Sequence, residues 1–209
     1  MMFITESTIA GCGKTVISST IINNLWKDYA QDSKASIAYF YFDFTEEQKQ
    51  NVEGCLRSLL RQLSAKKLPS VVKALYKQAQ EHSVQLGLDA LTDTLKAVLQ
   101  QAPLTFLVFD ALDECKEVKI LMKKTAEIKR WELPNVRILA TSRREPNIIE
   151  TMDIILPQSI CLQAALVDED IKTYVKYSLR SDGPLRIWSG DAKAKQEIEE
   201  ALVDGSNGM

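Results

Sequence analysis

The short run Gly11-Cys12-Gly13-Lys14-Thr15 constrains the fold more than any other feature of this chain. Two glycines around one residue let successive backbone amides curl into an anion-binding nest, and the apolar run from Val16 reads as the helix that follows. A lysine after such a turn reaches the β- and γ-phosphates of a nucleotide, and the threonine hydroxyl beside it is a ligand for Mg²⁺. The full pattern G-x-x-x-x-G-K-[ST] begins with glycine, where this chain has Thr8. A β-branched residue is costly there if the loop needs φ > 0, so an atypical start to the loop is expected.

Well downstream lies Phe106-Leu107-Val108-Phe109-Asp110-Ala111-Leu112-Asp113-Glu114. A short apolar run ending in an acid is the pattern of a buried parallel strand with a carboxylate at its C-terminal edge, where open α/β sheets bind ligands. Asp110 is placed to hold the metal, directly or through water. Asp113 and Glu114 lie just past the strand, where a carboxylate orients and deprotonates water. The same pair would also suit the positive end of a following helix. Both motifs in this order predict an α/β fold of the P-loop NTPase type.

The rest of the pattern alternates strands and helices. A weak strand at 2–6 precedes a helix at about 14–30, with Ile17, Ile21 and Leu25 on one face and Ile22, Trp26 and Tyr29 beside it. Residues 36–44 are aromatic and apolar on both faces, which suits a covered strand. Between Thr45 and Gln101 the apolar residues recur every three or four positions in three helical stripes, punctuated by Pro69 and Gly87. A strand at 104–110, a helix at about 116–131 and a strand at 136–141 follow. Arg143 then stands at a C-terminal strand edge, positioned to meet a γ-phosphate. The last strand is expected at 153–162, then an amphipathic helix at 168–180 and a polar helical tail.

A length of 209 residues, with 45% hydrophobic and 26% charged residues, describes an ordinary globular chain. The net charge of −2 offers no basic excess for nucleic acid, so Lys123-Lys124 and Arg143-Arg144 read as solvated faces and no nucleic-acid partner is expected. Cys12, Cys55, Cys115 and Cys161 are widely spread with no CxxC pair, the usage of reduced thiols. His82 sits in a polar stretch with no acid or nucleophile nearby in sequence and reads as a surface residue. No signal peptide or bilayer-spanning run is visible, so no membrane partner and a cytoplasmic location are expected.

With these residues assembled, the chain resembles the NACHT-type domain of fungal signalling proteins, also described as the nephrocystin-3-like N-terminal domain, a P-loop NTPase of the STAND class. The resemblance rests on Gly11-Cys12-Gly13-Lys14-Thr15, the Ala38–Phe44 run, Phe109–Cys115, Thr141–Pro146 and Asp170–Val175. It implies a three-layer fold with a mostly parallel five-stranded sheet of order 5-1-4-3-2 and a helical insertion. It also implies a nucleotide-dependent switch with slow ATP hydrolysis, ATP or ADP and Mg²⁺ as cofactors, and a signalling role. The implied roles are phosphate binding by Gly11, Cys12, Gly13, Lys14 and Thr15, metal binding by Thr15 and Asp110, water activation by Asp113 or Glu114, and γ-phosphate sensing by Arg143. Protein partners or self-association would act through effector and repeat domains absent from this chain. The expected division is an NTPase domain over 1–180 and the start of a truncated C-terminal helical region over 181–209, because the family continues past the Gly-Met pair that here is Gly208-Met209.

Two other readings share the core: a degenerate scaffold that binds proteins without turnover, and a P-loop phosphotransferase. No arginine-bearing lid follows the helix at 116–131, which weighs against the latter. No Asn/Thr-Lys-x-Asp guanine-reading loop occurs, which leaves ATP preferred over GTP.

Overall fold

The computed structural model describes residues 2–6, 13–29, 35–65, 67–82, 86–156, 158–162, 172–180, 183–188 and 190–206. The first unit comprises Met1–Thr5 and Lys14–Ile160, and the second Glu6–Gly13 and Cys161–Met209. The elements in chain order are β1 (Met2–Glu6), α1 (Lys14–Tyr29), β2 (Ala35–Tyr41), α2 (Val52–Leu63), α3 (Ser70–His82), α4 (Leu88–Gln101), β3 (Leu104–Asp110), α5 (Val118–Arg130), β4 (Val136–Arg143), α6 (Pro146–Ile155) and β5 (Ser159–Leu162). A helix over 172–178, here α7, and α8 (Ala192–Ser206) follow.

The five strands form one sheet in the order β2-β3-β4-β1-β5, the predicted order read from the opposite edge. β2 runs parallel to β3 with Tyr41 opposite Asp110, and β3 runs parallel to β4 with Phe109 opposite Ala140. Because parallel strands end on the same side, this register puts Asp110 next to the end of β4. Leu107, Val108, Phe109 and Asp110 are buried in succession. Successive side chains point to opposite faces, so both faces of β3 are covered.

The helical insertion supplies much of the core. Val52, Cys55, Leu56, Leu59 and Leu60 of α2 meet Leu91, Leu95, Val98 and Leu99 of α4. Asn51 caps α2 by accepting the Gly54 N–H at 2.7 Å. Leu59, Leu95 and Leu99 are wholly inaccessible, so truncating any of them to alanine should cost about 2–5 kcal/mol. β2 lies at the sheet edge, and at Tyr39 its outer backbone is satisfied by a side chain: Gln62 accepts the Tyr39 N–H at 3.1 Å and donates to the Tyr39 carbonyl at 2.7 Å.

Several local expectations are corrected. The last strand does not begin at 153, because residues through Ile155 belong to α6. Pro146 opens that helix, and Ile148, Met152 and Ile155 are buried at helical spacing, which the apolar run Ile154-Ile155-Leu156 concealed. β2 stops at Tyr41 rather than residue 44. The Asp43 carboxylate accepts the Thr45 N–H and hydroxyl at 2.8 and 2.6 Å, turning the chain and leaving Phe44 67% exposed. On α1 the fully buried residues are Ser18 and Ile22, and Trp26 is exposed.

Lys124 is no solvated residue: it is buried and bonds Asp89 of α4 at 2.9 Å and Glu127 at 3.1 Å. Burial opposes its charge, yet the two acids hold its pKa above the ordinary lysine value. In the second unit, Val175 of α7 and Leu179 just beyond it are buried, the Leu185 N–H returns to the Ser178 carbonyl at 2.8 Å, and Lys176 pairs with Glu199 at 3.4 Å. Ile171 and the start of the predicted helix at 168–180 lie outside the described residues, as does the His82 side chain.

Candidate functional site

Gly13 has φ +86°, a left-handed conformation, and open space where a Cβ would be. Backbone conformation alone therefore selects glycine there. Thr8, Gly11 and Cys12 lie outside the described residues. The next residue, Lys14, is the first of α1, whose first turn carries no acid. The positive end of the helix dipole is thus left uncompensated by its own sequence, an electrostatic setting that favours an anion.

Asp110, at the end of β3, is 2% exposed. Three hydroxyls converge on its carboxylate. Thr15 Oγ1 donates to Oδ2 at 2.7 Å, while Ser18 Oγ and Thr141 Oγ1 donate to Oδ1 at 2.5 and 2.6 Å. Thr15 and Ser18 are one turn apart on α1, so one helix face delivers both. Thr141 Oγ1 also accepts the Ala111 N–H at 3.0 Å, which steers the chain as it leaves the strand. The charge of Asp110 reaches Tyr41 as well, whose phenol is raised by burial first and by Asp110 next.

Ala111 adopts φ 55°, ψ 55°, a conformation that costs a non-glycine residue roughly 1–2 kcal/mol. The turn lets the short 3₁₀ segment Leu112–Glu114 fold back toward β4. There the nearly inaccessible Asp113 carboxylate accepts the Arg143 backbone N–H at 2.8 Å and the Ser142 hydroxyl at 3.2 Å through Oδ1. Its Oδ2 lies 3.4 Å from Arg143 Nε. Glu114 turns the other way, its Oε2 accepting the Phe44 N–H at 3.2 Å beyond the end of β2.

Of the residues singled out from sequence, Thr15 and Asp110 are thus in direct contact, and so are Asp113 and Arg143. Glu114 instead faces the segment after β2. Ser18, Thr141 and Ser142 were missed. A signal for Ser18 was its helical spacing from Thr15. For Thr141 it was the predicted sheet order, which sets the end of β4 beside Asp110.

The donor set fits a hard divalent cation. Asp110 is a buried carboxylate held by neutral hydroxyls, and among the described residues no ion pair neutralises it. Among the described residues there is also no group of three or more His, Cys, Asp or Glu that could hold a metal. One carboxylate beside a threonine hydroxyl is the kind of donor set that serves Mg²⁺, which takes one or two protein oxygens and fills its shell with phosphate and water.

Comparison with known proteins agrees with this architecture. Cdc6p from Pyrobaculum aerophilum superposes with a TM-score of 0.52 at 16% identity, covering 81% of this chain and 42% of that one. The Aeropyrum pernix ORC1 protein, solved in complex with DNA, superposes with a TM-score of 0.52 at 12% identity, covering 82% and 43%. The chain therefore spans less than half of either structure, and at these identities the likeness is one of fold. Among the curated proteins compared, none matches the chain. The sequence profile of the family described as "Nephrocystin 3, N-terminal" matches residues 3–143, well over half of the chain. The chain belongs to the nephrocystin-3 N-terminal family.

Proposed function

We propose that this chain is a nucleotide-switch module that binds ATP or ADP with Mg²⁺ and hydrolyses ATP slowly. The observation that carries this reading is the 2.7 Å contact between Thr15 and the buried Asp110, which joins the two motifs across the sheet. In this reading the Gly11–Gly13 loop and Lys14 bind the phosphates, and Thr15 and Asp110 hold the cation. Bound Mg²⁺ supplies charge neutralisation on the β- and γ-phosphates.

Glu114 is the group that takes the proton of the attacking water, and the Arg143 guanidinium meets the γ-phosphate. Asp113 is a positioning residue for Arg143, because both of its oxygens are engaged there. Two contacts are the proposed brake on turnover: Glu114 Oε2 accepts the Phe44 N–H, and Arg143 Nε rests 3.4 Å from Asp113 Oδ2. Preference for adenine rests on the lack of a guanine-reading loop in the sequence, and the net charge of −2 offers no basic excess for a nucleic-acid partner.

The wider role proposed is signalling through protein partners or self-association, with residues 1–180 as the NTPase domain. The proposed site of action is cytoplasmic. None of the described helices is long and apolar enough to cross a membrane.

The test is calorimetric titration of the chain with ADP, with and without Mg²⁺. Lys14→Ala should abolish binding, Asp110→Asn should remove most of the Mg²⁺ dependence, and Glu114→Gln should leave binding intact while lowering turnover. Wild-type affinity in Lys14→Ala would overturn the assignment, and equal loss of binding in Asp110→Asn and Glu114→Gln would overturn the division of roles.

A further inference from the structure

The helical insertion carries an apolar groove that the nucleotide chemistry does not use. One wall is formed by the last turns of α2 and the other by the first turns of α3, with Leu91 of α4 also lining it, and the open groove has a volume of about 460 Å³. Leu60 and Leu91 belong to the buried core, but Leu68 and Tyr76 are 57% and 65% exposed. Arg57 and Arg61 stand one turn apart on the α2 rim. Arg57 pairs with Glu53 at 2.8 Å, whereas Arg61 has no ion pair among the described residues.

We propose that this groove docks one amphipathic helix of a partner polypeptide, apolar on its buried side and acidic on the flank that meets Arg61. A contiguous apolar patch with an exposed tyrosine and arginine has the composition of a binding hot spot. The occupant is a helix rather than an extended peptide because both walls are helices whose backbone groups are bonded internally. They offer no open edge for strand addition, so the guest must satisfy its own backbone. The size agrees: Arg57 to Ser64 spans about 10 Å at 1.5 Å rise per residue, the length over which apolar anchors at i, i+3 or i+4, and i+7 would lie. The sign of the flank follows from Arg61, a cation lining an otherwise apolar groove, which an acid would complement.

Fluorescence anisotropy with defined probes tests this. The first probe is a labelled four-turn peptide with leucine at i, i+3, i+4, i+7 and i+11 and glutamate along one flank; the second carries lysine for every glutamate; the third is laurate. The glutamate peptide should bind the wild-type chain in preference to the lysine peptide. Tyr76→Ala and Arg61→Glu should each weaken it by about tenfold or more, and Arg61→Glu should reverse the preference. Both side chains are exposed, so the variants should melt like the wild type, and the reversed peptide preference is readable even if they do not. The proposal fails if both variants bind the glutamate peptide as tightly as the wild type. It also fails if only laurate binds, which would make this a site for amphiphiles, or if the chain associates with itself through this face and Tyr76→Ala abolishes that association.

Discussion

Asp113 and Arg143 are joined twice: the carboxylate accepts the Arg143 backbone N–H at 2.8 Å and faces its Nε at 3.4 Å. The backbone contact fixes the last residue of β4 to the turn after β3. The side-chain contact sets where the guanidinium rests. A carboxylate whose two oxygens are committed in this way is poorly placed to take a proton from water, which is why the proposed function gives that task to Glu114.

This division makes a kinetic prediction. Arg143→Ala should lower kcat about a hundredfold, as loss of a charge-stabilising donor does. Asp113→Ala should cost less, roughly tenfold, and the double variant should be no worse than Arg143→Ala, because the two residues act as one unit. Steady-state ATPase assays across pH decide the matter. A larger loss in Asp113→Ala than in Arg143→Ala, with the acidic limb of the pH profile lost in Asp113→Ala and kept in Glu114→Gln, would make Asp113 the base instead.

A second prediction concerns the hydroxyls around Asp110. Ser18→Ala removes a donor at 2.5 Å, and Thr141→Val removes both a donor at 2.6 Å and the acceptor for the Ala111 N–H. Each should raise the Mg²⁺ concentration needed for half-saturation of ADP binding by about three- to tenfold, through lost orientation of the carboxylate. Thr141→Val should also destabilise the fold by about 1–3 kcal/mol, because it orphans a buried N–H. The measurements are Mg²⁺ titration at fixed ADP and urea unfolding. An unchanged Mg²⁺ requirement in both variants would reduce the hydroxyls to packing.

Much of this site was legible in sequence because its chemistry is local. Lys14 and Thr15 follow a glycine turn, and Asp110 ends an apolar run whose length alone bounds β3. What escaped is chemistry supplied across the fold. Ser18 looks like any serine on a helix until its face is known, and its partner is 92 residues away. Gln62 reads as a surface glutamine at the end of an apolar stripe, yet it serves Tyr39 on the sheet edge. α6 was hidden because its last apolar residues run together, so a short window shows strand-like continuity where the longer pattern 148, 152, 155 is helical.

Gln62 leads to a stability prediction. Its amide satisfies both backbone groups of Tyr39, so Gln62→Ala should cost about 1–2 kcal/mol and leave an open donor and acceptor on the β2 edge. Gln62→Glu keeps an acceptor for the N–H but sets a carboxylate against the carbonyl, and should be no more stable than the alanine variant. Urea unfolding and light scattering at increasing concentration report both consequences. Unchanged stability together with an unchanged mass would show that the edge is protected by something other than this side chain.

The buried thiols give the last prediction. Burial pushes Cys115 up to about 11, against a backbone hydrogen bond at Glu117 that lowers it and with the Glu117 charge adding to the rise. Burial raises Cys55 further still, with Cys115 contributing. Alkylation requires the thiolate, and with a pKa raised from 9.0 to about 11 a thiol has roughly a hundredfold less of it at neutral pH. Both cysteines should therefore resist iodoacetamide in the native chain and react once urea unfolds it, which mass spectrometry of the modified peptides reads directly. The same shifts set a pH window. A folded-state pKa above the ordinary value means the native chain holds its thiol protons while the unfolded chain loses them. The stabilisation is complete below pH 9.0 and is lost as pH rises from there through about 11. Cys115→Ala should flatten part of that alkaline loss. Native-state labelling of Cys115 as fast as in urea would show instead that the contact between Cys115 and Gln50, where Sγ donates to the Gln50 carbonyl at 3.4 Å, opens readily on its own.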